Sequence, residues 1–217
     1  MKKIYISENA FPDLIDWLSA VGWAVSEIKA QPHISTGISA HPDIYMCKLG
    51  VSDESPVFFG DPGKVTDKYP GDVLYNAASS GRYFIYHKEY TDPALVAEGL
   101  SDGAVPVPVR QGYVKCSTAI IDEESFITSD EGIAKALTAA GATVLLIRPG
   151  LIALPGYDYG FIGGTCGRVE NHIVFNGNIS AHPDFKAIKN FIISRNLYLV
   201  YFENLPLTDI GSIIPAE

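Results

Sequence analysis

Between residues 107 and 147 the apolar positions change their period twice. Tyr113 to Asp122 reads as a strand, and Ser125-Phe126-Ile127-Thr128 as a second beyond the acidic turn Asp122-Glu123-Glu124. Ser129-Asp130-Glu131 then signals a helix start, because such side-chain oxygens accept from the unpaired N–H groups of a first turn. Ile133, Ala136, Leu137 and Ala140 recur at helical spacing, Gly141 stops the helix, and Thr143-Val144-Leu145-Leu146-Ile147 reads as a buried strand. The order is strand, strand, helix, strand.

The same order recurs along the chain. Phe161 to Val169 reads as a Gly-rich strand, and His172-Ile173-Val174-Phe175 as the next. A helix follows near His182-Pro183-Asp184, and Leu197 to Phe202 closes that unit. Val73 to Ala78 and Tyr83 to Tyr86 precede a helix that opens at Asp92-Pro93, with Asp92 as N-cap, and a strand at Ala104 to Val107. A fourth unit is split. Ile210 to Ile214 supplies its first strand, while Lys3 to Ser7, a helix opening at Pro12-Asp13 and Trp23-Ala24-Val25 supply the rest. The fifth, roughly 41–70, is degenerate: Pro56 to Phe59 is a strand, and the helix is reduced to a loop at Gly60-Asp61-Pro62-Gly63. Asp43 to Leu49 reads as strand or as helix, with strand preferred because a ring requires it.

A repeat of about 40 residues whose units cannot bury their own faces must stack. The expectation is a single α/β domain over 1–217, a five-bladed α/β propeller of ββαβ units closed by pairing of the N- and C-terminal strands. An open doubly wound sheet accounts for the alternation of strand and helix, but not for the strand pair before each helix.

Composition narrows the function. With a formal charge of -9 and a pI near 5.0, nucleic acid is not an expected partner. No apolar run is long enough to span a bilayer and no signal peptide is read, so a cytoplasmic protein without a membrane partner is expected. Cys47, Cys116 and Cys166 are widely spaced and the histidines form no cluster in sequence. Neither a disulfide framework nor a structural zinc site is expected, and no cofactor is implied.

Several stretches resemble the pentein, or guanidino-group-modifying, fold shared by arginine deiminases, dimethylargininases and amidinotransferases. They are Gly71-Asp72-Val73-Leu74 and Tyr75-Asn76-Ala77. More closely, Lys115-Cys116-Ser117-Thr118, the Gly156 to Gly164 segment and Asp209-Ile210-Gly211-Ser212 resemble an uncharacterised bacterial family assigned to that fold. The resemblance implies the five-bladed architecture. Its enzymes carry a cysteine nucleophile in the last unit and a His-x-Asp or His-x-Glu pair. Here the last unit has Ser212, the preceding one has Gly160-Phe161-Ile162-Gly163, and a His-x-Asp occurs at His41 and Asp43 but in a different unit.

In a closed ring, equivalent ends of the first strands would bring His41, Asp43, Asp72, Asn76, Lys115, Cys116, Asp158 and Asp209 to one mouth. Cys116 beside Lys115 is a candidate nucleophile, or else a small buried residue on a strand. His41 and Asp43 are a candidate oriented base, or a turn. Asp158 and Asp209 suit a guanidinium, or close turns. Lys115 would clamp a ligand carboxylate or pair with one of those aspartates. Asp72 and Asn76 complete the ligand-binding set. The preferred function is a binding protein, or degenerate enzyme, holding a small polar guanidino or amino-acid-like ligand. The alternative is a hydrolase or amidinotransferase with Cys116 as nucleophile. A protein-binding role is a third class, and the acidic charge argues against a ribosomal partner.

Overall fold

The computed structural model describes residues 2–216. Two parallel strands, β1 (Lys3–Ser7) and β2 (Ala24–Ile28), are joined by helix α1 (Pro12–Ala20). Proline at the first helical position has no N–H to leave unpaired, and Leu14 and Leu18 turn the apolar face inward. The next sheet has only β3 (Met46–Lys48) and β4 (Val57–Phe59), which are antiparallel.

The third sheet contains β5 (Ala78–Ser79), β6 (Tyr83–His87) and, after helix α2 (Pro93–Gly99), β7 (Val105–Val109). The Asp92 side chain caps α2 by accepting from Ala94 N at 2.8 Å. Helix α3 (Val114–Ser117) leads into the fourth sheet of β8 (Thr118–Ile120), β9 (Ser125–Thr128) and β10 (Thr143–Leu146). Helix α4 (Glu131–Ala139) joins β9 to β10, and Asp130 caps it by accepting from Ile133 N at 2.8 Å. The fifth sheet has β11 (Cys166–Val169), β12 (His172–Phe175), helix α5 (Phe185–Ile193) and β13 (Tyr198–Val200). Last, β14 (Ile214–Ala216) adds antiparallel to β1, with Ile4 opposite Pro215.

The five-bladed closed propeller is therefore corrected. The described residues form five separate sheets of two or three strands, with no closed or propeller sheet. The pairing of β14 with β1 completes one three-stranded sheet and does not seal a ring. Repetition of unit order predicts the units, but joining them into one sheet needs edge strands with free N–H groups in register. In β7, Pro106 and Pro108 have none to offer. Burial instead occurs in four apolar clusters between elements, the largest around Ile127, Phe175, Ile188 and Ile192.

A second correction affects the segment before the first strand of each sheet, which is a tight turn in four of the five where extended chain was expected. Pro42–Ile44 is a 3-10 turn that precedes β3, so Asp43 to Leu49 is neither wholly strand nor wholly helix. Val73 to Asn76 is closed by Asn76 N donating to Val73 O at 3.1 Å. Cys116 lies in α3, not on a strand, and Ile162–Thr165 is a 3-10 turn. Ile210 to Ile213 is irregular, and only Ile214 begins β14. Runs of three or four apolar residues do not distinguish one helical turn from a strand. Among the described residues no helix is long and apolar enough to cross a membrane.

Candidate functional site

These turns carry their polar side chains to one place. Asp43 is fully buried, and His41, Cys116 and Asp209 are 2–3% exposed. The Cys116 thiol donates to Asp43 Oδ2 at 3.0 Å and accepts from Asn76 Nδ2 at 3.2 Å. Asn76 Oδ1 accepts from Lys115 N at 2.7 Å, so one amide fixes both the start of α3 and the sulfur. Ser212 Oγ donates to Asp43 Oδ2 at 2.8 Å and accepts from Lys115 Nζ at 2.9 Å. The ammonium also donates to Gly163 O at 3.1 Å, so Lys115 is held by Ser212 and Gly163 and not by Asp158 or Asp209.

Asp209 accepts from Phe161 N at 2.8 Å and from Gly211 N at 3.0 Å, and its Oδ1 lies 3.8 Å from His41 Nδ1. Close approach needs glycine. A Cβ on Gly164 would stand 2.0 Å from Asp209 Oδ1, and one on Gly211 would stand 2.2 Å from the His41 Cβ. Gly211 has φ 69° and Ser212 φ 79°, and this left-handed step turns the serine hydroxyl toward Asp43.

Burial dominates the electrostatics. It pushes the Asp43 carboxyl up, against the opposing pull of His41 and Lys115. It pushes the Cys116 thiol well up, and Asp43 and Asp209 add to that. It lowers His41, which is thereby kept neutral, against the pull of Asp43. Asp209 rises to about 6, again through burial, because its two N–H donors only partly offset the cost of a buried charge. Asp43 Oδ1 and His41 Nδ1 are buried and have no hydrogen-bond partner.

Above this floor is a cavity of about 240 Å³. His41, Cys116 and Asp209 line its base, and Tyr113, Tyr157, Tyr159 and Phe161 form its walls. A neighbouring hollow of about 780 Å³ shares His41, Tyr157, Asp158 and Asp209 with it. A wider and more open hollow of about 1010 Å³ lies by Tyr69, His87 and Arg110, but of its two carboxylates Asp130 is the cap of α4 and Glu89 is exposed. Convergent buried polar groups under apolar walls favour the smaller cavity as the site.

Of the expected residues, His41, Asp43, Asn76, Lys115, Cys116 and Asp209 come together. Asp158 is exposed at the rim. Asp72 is buried behind the wall, where its Oδ2 accepts from the Tyr113 hydroxyl at 2.5 Å. Cys47 and Cys166 belong to apolar clusters, and burial pushes their thiols up to about 12 and about 11. Sequence reasoning missed the role of Ser212, read only as the absence of a cysteine, and it missed the aromatic walls. The alternation Tyr157-Asp158-Tyr159 between Gly156 and Gly160, in a stretch with neither helical nor strand period, was the available signal.

Residues 58–214 match the model of a family of unknown function, DUF6873, and the chain belongs to that family. The matched stretch contains Asn76, Lys115, Cys116, Asp209 and Ser212, while His41 and Asp43 precede it. A search of curated proteins finds no match.

Proposed function

We propose that the pocket binds a small polar molecule through a cationic head group, guanidino or amino-acid-like. The observation that carries this reading is the pairing of a buried carboxylate, Asp209, with the aromatic rings of Tyr113, Tyr157, Tyr159 and Phe161 around one cavity. Ring faces attract cations, most strongly where water is excluded, and a carboxylate matches the fork of a guanidinium. Asp158 at the rim adds negative charge on the approach. An ionised Asp209 without a cation is costly to bury, so a bound cation relieves a penalty already present.

A second reading has one observation in its favour. Donor atoms of Cys116 and His41 lie within 4.8 Å of each other, close enough for a nucleophile and its base to meet after a small rotation. The binding reading is preferred because the thiol is bonded to Asp43 and burial disfavours the thiolate.

Thermal shift with agmatine, arginine and citrulline, in the presence of a chelator, tests the proposal. Agmatine and arginine are expected to raise Tm; citrulline, which keeps the α-ammonium but has an uncharged ureido group, separates the two head groups, raising Tm much less where the guanidinium is bound and comparably to arginine where the ammonium is. Tyr157→Ala should reduce the shift. No stabilisation by any of them at millimolar concentration would overturn it, since specific binding to the native state must stabilise.

A further inference from the structure

We propose that His41, Asp43 and Cys116 form a zinc site whose open position faces the aromatic cavity. One donor atom from each lies within 4.8 Å of the others, and all three residues are buried. Tetrahedral zinc with Zn–N and Zn–O near 2.0 Å and Zn–S near 2.3 Å sets its ligands roughly 3.3–3.6 Å apart. Cys116 Sγ and Asp43 Oδ2 are already 3.0 Å apart. Small side-chain rotations suffice to gather the set.

The second observation is independent of that spacing. Asp43 Oδ1 and His41 Nδ1 are buried without any hydrogen-bond partner. A buried carboxylate oxygen and a buried ring nitrogen both left unpaired are expensive, and a dication satisfies lone pairs of this kind. The surrounding shell also has the form a metal site requires. Asn76 Nδ2 donates to the sulfur and Ser212 Oγ donates to the carboxylate, so both ligands are oriented from behind. His41 and Cys116 line the cavity, which gives the ion an entry path and a vacant position for water or ligand.

Loading replaces the thiol proton. Cys116–SH loses H⁺ to the solvent, the S–Zn bond forms, and nothing is oxidised or reduced. The thiolate and the Asp43 carboxylate together cancel the charge of Zn²⁺. Asp209 keeps its own charge for the cationic ligand, so this site and the binding reading are compatible and rest on different atoms.

The test uses the purified full chain, stripped with chelator, dialysed and titrated with Co²⁺ and then Zn²⁺. The expected result is an intense near-ultraviolet thiolate-to-cobalt band that saturates at about one equivalent and is abolished by Zn²⁺. Cys116→Ser should remove the band, and His41→Ala should weaken Co²⁺ binding by at least about 10-fold. Peptide mapping of the unmutated chain after iodoacetamide treatment gives a readout that does not depend on a variant folding: Zn²⁺ should protect Cys116 specifically. Absence of the band, its survival in Cys116→Ser, or labelling of Cys116 unchanged by Zn²⁺ would each overturn the site. Because the ligand panel above is run with chelator, either proposal can fail without the other.

Discussion

Replacing Asp209 by asparagine sets two comparable effects against each other, and pH separates them. The side chain is buried, and burial raises its carboxyl from the ordinary 3.8 to about 6. At neutral pH the native state therefore carries a penalty of about 3 kcal/mol for holding that carboxylate ionised. The sign follows from proton counting. Between pH 4 and 6 the folded chain holds more protons at this site than the unfolded chain, so its stabilising contribution is present at low pH and is lost as pH rises through 6. Asparagine removes that dependence. It also replaces one of two acceptor oxygens with an NH₂ facing either Phe161 N or Gly211 N, which costs about 1–3 kcal/mol.

At pH 7 the two effects nearly cancel, and Asp209→Asn should differ from the parent by no more than about 1–2 kcal/mol. At pH 5 the parent has recovered part of its penalty, so the variant should be less stable, relative to the parent, by about a further 1 kcal/mol. Urea denaturation of the metal-free proteins at pH 5, 6 and 7 measures this difference. The same difference at all three values would refute the view that Asp209 is a buried carboxyl titrating near 6.

In the metal-free chain Cys116 should react with iodoacetamide much more slowly than a free cysteine at pH 7, because burial and Asp43 disfavour its thiolate; rapid labelling that His41→Ala slows would instead favour the nucleophile reading. Gly164→Ala should destabilise by about 1–3 kcal/mol, since its Cβ would overlap the Asp209 carboxylate; chemical denaturation at the parent's level would show that the backbone there has room. The Arg148 guanidinium bonds the Asp184 carboxyl through two nitrogens and holds it down at about 2. Stability from that pair is present above pH 4 and is lost as pH falls through 2, so Asp184→Asn should flatten the acid limb of the parent's pH–stability curve, and an unchanged limb would count against the pair.

Sequence legibility followed the range of each interaction. The starts of α2 and α4 were readable because Asp92 and Asp130 cap within three residues of themselves. Elements with no such local marker were misread: the turn at Val73 to Asn76 and helix α3 have strand-like composition but close on their own backbone. The site was half legible. His41, Asp43, Lys115 and Cys116 are conspicuous residue types, but their contacts run from Asn76 to Cys116, Cys116 to Asp43 and Ser212 to Asp43, over 40, 73 and 169 positions. No local pattern encodes those pairings. Of the two readings of Lys115, the pairing with Asp158 or Asp209 does not occur, because Ser212 and Gly163 hold its ammonium.

The addition of β14 to β1 has a consequence for synthesis. Emerging from the ribosome, β1 and β2 lack their third strand until residues 214–216 have been made, and Asp43 lacks Ser212 for almost as long. The buried polar centre is thus completed only once residue 212 has been made, and one flank of β1 stays unpaired until residues 214–216 follow. A chain stalled or clipped shortly before Ser212 would retain most of its sheets and the side chains of the centre, yet lack the hydroxyl that orients Asp43 and holds Lys115, so an ordered centre would report completion of this region more faithfully than secondary-structure content.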